Sequence, residues 1–270
     1  MAKQMGHVII SGGSSGIGLA IAELVVLQGH HVTLLARQEN HLKAAQALLQ
    51  KKAVSESQQI SYFTCDVSQQ GAVEKAVAQA VENAGPPSCL YLSAGIVEPG
   101  HFMDLTIEQF KRTMDVNYMG SVHVIKSALP YMVKQAEGSI TLISSAAGLI
   151  GVWGYGAYSP TKFALHGLAE VLRAEMKPKG VSVSIAFPPD TDTPQYHGEK
   201  DIRPQETTVI AGTADLWTAQ DVAKVIVSKS QKKRFLITPG LMITALSYLR
   251  SLIFPVLSFW FDQLVKRKCP

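Results

Sequence analysis

Residues 7–18 read HVIISGGSSGIG, and the architecture follows from how that stretch must behave. The first five residues, His7 to Ser11, form a short apolar run suited to a buried strand. Glycines at 12, 16 and 18 then let the backbone turn tightly and approach a phosphate closely. The apolar-periodic run over 17–27 follows as a helix, with its free N–H groups and positive dipole end aimed back at the turn. Ser14 and Ser15 add hydroxyl donors. A bare tight turn needs only one or two glycines. Strand, glycine turn and helix together point to a pyrophosphate site built from Gly12, Ser14, Ser15, Gly16, Ile17 and Gly18.

Outward from this stretch the chain keeps alternating. Strand-like runs occupy 32–36 (VTLLA), 60–64 (ISYFT), 90–92, 139–143 and 181–186. Helical periodicity covers 39–50, 69–82, 107–115, 117–134 and 157–176. Short apolar strands joined by helices imply a parallel sheet covered on both faces. The expected fold is therefore α/β: a Rossmann-type doubly wound sheet, with residues 1–239 as a single domain. At 270 residues, 47% hydrophobic and 17% charged, the chain is long and apolar enough for such a core. Residues 188–214 carry prolines, charges and threonines without sustained periodicity and read as a lid or binding loop. The net charge of +4 is too small to argue for nucleic acid. Three scattered cysteines offer neither metal-ligand spacing nor a disulfide framework, so no metal is expected and a reducing, cytoplasmic compartment is. The first residues hold no long apolar run, and a secretory signal is not expected.

Arg37 directly follows the second strand. A cation there accommodates a ribose 2′-phosphate where an acid would grip the 2′-hydroxyl, so Arg37 favours NADPH over NADH; the plainer alternative is a solvated arginine at a strand end. His41, one turn on, can assist or simply lie on the surface. Asp66, after the third strand, is placed to accept from an adenine amino group, with Val67 offering backbone contacts. Asp66 equally suits a helix cap.

Further along, Tyr158-Ser159-Pro160-Thr161-Lys162 sets a phenol and an ammonium four residues apart, on one face of a helix. A nearby cation favours phenolate and is expected to lower the tyrosine pKa, making Tyr158 a general acid. Pro160 is tolerated only in the first helical turn. Ser145 ends the fifth strand and can hydrogen-bond a substrate carbonyl, or serve as a strand-end turn residue. Asn117 is a candidate beside the sheet, or else a buried amide or cap.

The GGSSGIG turn, Asn117, Ser145 and YSPTK, in this order and spacing, resemble the short-chain dehydrogenase/reductase family over roughly residues 7–230. The resemblance implies that Tyr158 donates the proton, Ser145 orients the carbonyl, Lys162 holds the nicotinamide ribose and Asn117 supports a proton relay with Lys162. Two departures stand out. The usual Asn-Asn-Ala-Gly run is Leu92-Ser93-Ala94-Gly95, where Ala94 and Gly95 keep the close backbone approach to the cofactor. The usual Pro-Gly is Pro188-Pro189. The segment 187–196, FPPDTDTPQY, resembles that of the 3-ketodihydrosphingosine reductase subgroup. That likeness implies a long-chain 3-keto sphingoid base as substrate and places Pro188, Thr191 and Thr193 at the cofactor. Other hydrophobic ketones (steroid, retinal-like or 3-oxoacyl) remain alternatives, as does a cofactor-binding regulatory protein without turnover.

Residues 240–270 form a distinct apolar segment. Over 242–254 the polar residues Thr244, Ser247, Arg250 and Ser251 recur at helical spacing opposite Ile243, Leu246, Leu249 and Ile253, an amphipathic pattern. Beyond Pro255 come Trp260 and the basic Lys266-Arg267-Lys268, which suit an anionic membrane surface. Packing on the core or a neighbouring subunit and a true membrane span are the competing readings, the latter weakened by Arg250 and Pro255. The expectation is a homo-oligomer, peripheral on the cytoplasmic face of a membrane through 241–268.

Overall fold

The computed structural model describes residues 6–213 and 215–269. In chain order, β1 (His7–Ser11), α1 (Gly16–Leu27), β2 (His31–Ala36), α2 (Glu39–Gln50), β3 (Ile60–Thr64), α3 (Gln70–Ala84) and β4 (Pro87–Leu92) alternate. Next come α4 (Ile107–Met114), a π-helical turn at Asp115–Met119, α5 (Gly120–Gln135) and β5 (Gly138–Ile143). The remainder is α6 (Ser159–Met176), β6 (Val181–Ala186), β7 (Thr191–Asp192), α7 (Pro194–Lys200), α8 (Gln205–Ala211), β8 (Trp217–Thr218), α9 (Ala219–Gln231), β9 (Leu236–Ile237) and α10 (Leu241–Lys268).

Seven strands form one parallel sheet in the order β3-β2-β1-β4-β5-β6-β9. The order reverses between β1 and β4, and a crevice opens at their carboxyl ends. Side chains of β1 alternate between two cores with the strand period of two. Ile9 packs with α3, α5 and α6 (Val73, Val124, Leu165), whereas Val8 and Ile10 pack with α1, α2 and α9 (Ile21, Leu42, Ile226). Both faces are thus covered by helices, as the apolar strands required. His7 is a satisfied core histidine. Its Nδ1 lies 2.7 Å from the Gly85 carbonyl oxygen and its Nε2 2.9 Å from Thr33 Oγ1, and burial lowers its pKa to about 4.

Four expectations need correction. The helices expected separately over 107–115 and 117–134 run on as one helical segment, joined by a π-helical turn at Asp115–Met119 that carries Asn117. Residues 188–213 contain α7 and α8, helices too short to show periodicity. The sequence reading also missed β9, which adds a seventh strand from only two residues. Finally, α10 runs straight through Pro255. A proline within a helix removes one backbone bond, yet α10 continues to Lys268. Met1 to Gln4 and Met5, Ala214 and Pro270, within the segments read above, lie outside the described residues.

The amphipathic expectation for α10 also changes. Ile243, Leu246 and Val265 are buried, and Ile253, Leu257 and Phe261 pack on the same core. Two of the polar residues reach the body: Thr244 Oγ1 meets Thr238 Oγ1 at 2.8 Å, and Arg250 Nε donates to the Leu149 carbonyl at 2.5 Å, while Ser251 stays exposed. Leu241, Met242, Tyr248, Leu252, Val256 and Phe259 form the exposed stripe. The helix is long and apolar enough to cross a membrane, with a mean hydropathy of 1.6 in its most apolar window.

Candidate active site

The glycine turn makes one wall of a cleft of about 310 Å³ at the crevice. Gly12 has φ +70°, and a Cβ there would lie 2.6 Å from the Ala94 backbone nitrogen. A Cβ on Gly18 would strike the Gly12 carbonyl oxygen. Only glycine permits this close fold, and it leaves Gly12, Ser14, Ser15, Gly16 and Ile17 on the cleft wall with Gly18 beneath them. The cradle that a side chain would fill fits a pyrophosphate at the start of α1.

Across the cleft, Arg37 follows β2, exposed and without an ion pair among the described residues, and His41 lines the same space. Asp66 does not cap α3, which begins after Gln69 without a side-chain cap. Its Oδ1 accepts from the Ser68 N–H at 3.0 Å and the Ser68 hydroxyl at 2.9 Å, while the residue still lines the cleft. Val67 also lines it, with its carbonyl 2.9 Å from the His123 ring. Ala94 and Gly95 complete the wall after β4.

Tyr158 stands at the head of α6 with Pro160 in the first turn, as required. Lys162 Nζ sits 5.4 Å from the Tyr158 ring centroid and donates to the Ile143 carbonyl at 3.1 Å. Both residues are buried. Burial lowers the Lys162 pKa to about 8. The expected lowering of the Tyr158 pKa is reversed. Burial pushes the phenol well above its usual range, and the hydrogen bond with Ser145 opposes this only in part. Desolvating a phenolate outweighs a cation set beside the ring rather than against the oxygen.

Asn117 is fully buried behind the cleft. Its Oδ1 accepts from the Ile96 N–H at 2.8 Å, and its Nδ2 donates to the Ile96 carbonyl and to Thr161 Oγ1, both at 3.0 Å. The side chain therefore ties the loop after β4 to the first turn of α6. Its carboxamide is committed to these partners instead of Lys162. Lys162 is nonetheless close: a Cβ on Gly95 would lie 3.3 Å from Asn117 Oδ1 and 3.5 Å from Lys162 Nζ.

Ser145 lines a second cavity of about 100 Å³, which Tyr158 and Thr193 share with the first. Pro188 and Thr191 fall on this second cavity rather than on the cleft. The Pro188 carbonyl accepts from the Ala146 N–H at 2.9 Å, the Thr191 hydroxyl donates to the Pro189 carbonyl at 2.8 Å, and Thr193 caps α7. Sequence reasoning passed over four residues here. Tyr155, Asp190 and Glu199 line the cavity, and Arg203 ion-pairs with Glu199 and, at 3.4 Å, with Asp190. The spacing of Glu199 and Arg203, four apart, was the one available signal.

A nicotinamide-dependent oxidoreductase is the class that this fold and cleft define, and comparison agrees. The short chain dehydrogenase model matches residues 6–203, so the chain belongs to the short-chain dehydrogenase family and uses a nicotinamide dinucleotide. Among curated relatives, a 3-dehydrosphinganine reductase of Danio rerio is 40% identical over 245 residues, covering 89% of this chain and 74% of the relative. A 3-ketodihydrosphingosine reductase of Bos taurus is 41% identical over 230 residues, covering 85% and 69%. Among solved structures, levodione reductase superposes with a TM-score of 0.78 at 21% identity, covering 86% of this chain and 95% of its own. That likeness concerns the fold alone.

Proposed function

We propose that this protein reduces 3-ketodihydrosphingosine to dihydrosphingosine with NADPH. The observation that carries the reading is the position of Tyr158, a buried phenol on the wall of both the dinucleotide cleft and the adjoining cavity. Relatives named for this reaction support the substrate. The exposed Arg37 supports the 2′-phosphate.

The cofactor, when bound, supplies hydride to the carbonyl carbon. The glycine turn would hold the pyrophosphate, Asp66 and Val67 the adenine end, and Ala94, Gly95, Lys162 and Thr193 the nicotinamide end. Pro188 and Thr191 border that end from the second cavity. Ser145 orients the ketone oxygen by hydrogen bonding. Tyr158 gives its proton to that oxygen as negative charge develops there. A raised pKa keeps the phenol protonated at neutral pH, which suits reduction, because the developing alkoxide is a far stronger base than phenolate. The Lys162 cation offsets the phenolate left behind. Asn117 is a positioning residue that fixes the loop over Lys162.

The test follows NADPH absorbance with 3-ketodihydrosphingosine, a 3-oxoacyl thioester, a steroid ketone and a retinal-like carbonyl. Turnover of the sphingoid ketone is expected, and exclusive turnover of another would overturn the substrate. On the same reading, residues 1–239 are the catalytic domain. The segment 240–270 would attach to the cytoplasmic face of a membrane through the exposed stripe of α10, in a homo-oligomer. Chains shortened after Pro239 should then be lost from floated anionic liposomes; undiminished recovery would remove the attachment.

A further inference from the structure

The cavity that Tyr158 and Ser145 share with Pro188 holds more charge than ketone reduction needs. Behind its wall Arg203, its side chain only 3% exposed, lies between two carboxylates that line the cavity. Glu199 meets it through Oε1, which also accepts from the Tyr155 hydroxyl at 3.5 Å. Asp190 meets it at 3.4 Å. The guanidinium face is stacked 4.8 Å from the Tyr196 ring centroid, so its position is fixed. One cation between two anions leaves one negative charge over.

That charge has an address. Glu199 Oε2 has no hydrogen-bond partner among the described residues although the side chain is 8% exposed, and Glu199 lines the cavity with Ser145 and Tyr158. A buried carboxylate oxygen left without a donor is costly, and such a group in a cavity wall calls for a functional explanation. Arg203 Nε is likewise without an acceptor among the described residues, so the case for an outside partner rests on the charge: one guanidinium leaves one of the two carboxylates uncompensated, and a cationic donor balances it. Both carboxyls have raised pKa values through burial, the signature of an anion short of compensation.

We infer that Glu199, backed by Asp190, recognises a protonated primary amine on the carbon beside the ketone that Tyr158 protonates. This deepens the proposed function, on which it rests: 3-ketodihydrosphingosine is a 2-amino-3-ketone. The geometry suits that pairing. A cavity of about 100 Å³ cannot part groups on its walls by more than a few atoms, and an α-amine lies one carbon from the carbonyl. The site therefore selects amino ketones over plain hydrophobic ketones. It also fixes which way the alkyl chain leaves the reacting carbon, because amine and chain lie on opposite sides of the carbonyl.

The full-length enzyme tests this with two long-chain ketones, 3-ketodihydrosphingosine and its N-acetyl derivative, which keeps the chain but not the charge. A desolvated charge pair is worth enough that the wild type should prefer the amino ketone by about 30-fold or more in kcat/KM. Glu199→Gln, which still offers Arg203 an acceptor, should cut that preference by about tenfold through KM for the amine, with kcat little changed. If the Glu199→Gln variant loses its fold by circular dichroism, the more exposed Asp190→Asn carries the same comparison of ratios. Equal use of both ketones by the wild type, or a ratio unmoved in the folded variant, overturns the acidic site while leaving the reductase reading intact. Turnover of neither overturns both.

Discussion

The dinucleotide cleft and the smaller cavity beside it share Tyr158, yet they are built in opposite ways. The cleft is made of backbone. Glycines remove side chains so that amide groups and a helix terminus face the ligand, and Arg37 stands at its edge. The cavity is made of side chains, with Glu199, Asp190 and Arg203 brought in by the segment after β6 and held under two tyrosines. A backbone site depends on the few residues of one turn and tolerates variation around it. A side-chain site depends on distant residues meeting, and so it is where specificity for a substrate can be set.

The largest break in this comparison is Tyr158→Phe, which removes the one catalytic group common to both sites. Turnover should fall by about 10²–10⁴-fold, while dinucleotide affinity, read by NADPH fluorescence, stays within about threefold. A loss of equal size in both would mean that the two sites are one. Next is Arg37→Asp. Losing a charge-assisted contact to phosphate should move the NADPH-over-NADH preference by about 10–100-fold in kcat/KM, leaving ketone selection alone. An unchanged preference would refute the role of Arg37.

Gly18→Ala is smaller and acts on the cleft alone. The added methyl meets the Gly12 carbonyl, and the displaced turn should cost about 1–3 kcal/mol by denaturant titration. The smallest effect is a pH slope. With its pKa lowered to about 8, Lys162 loses its charge as pH rises through that value, and kcat/KM for reduction should decline there. Stability should move the other way. Above about pH 8 the unfolded chain holds the lysine proton that the folded chain has released, so folding becomes more favourable as pH climbs towards the ordinary lysine value. Lys162→Met should abolish both slopes, and opposite signs in the wild type separate catalysis from folding.

Most of the sheet was legible because buried strands and the helices between them carry their periods locally. The π-helical turn was not, since weak helix formers such as Asp115, Val116 and Asn117 do not by themselves signal a change of pitch; it coincides with the packing of Asn117 against Ile96 and Thr161. The placing of α7 and α8 within 188–213 was hidden for a different reason, as seven residues complete barely two turns. In the site, Tyr158, Lys162, Ser145 and the glycine turn could be read from spacing. Glu199 and Arg203 could not, because four-residue spacing of opposite charges is common on solvated helices, and only burial gives it meaning.

The direction of the Tyr158 pKa shows the same division. Spacing placed a lysine near the phenol, but the balance between cation and desolvation depends on where the oxygen sits and how much water reaches it. By itself, the sequence determined the doubly wound sheet, the phosphate turn and the pairing of phenol with amine, since each rests on residues within a few positions of one another. The tertiary structure alone decided the electrostatics of that pair, the acidic cavity beside it and the course of α10. Those depend on burial and on contacts between segments far apart in the chain, and short-range patterns do not encode either.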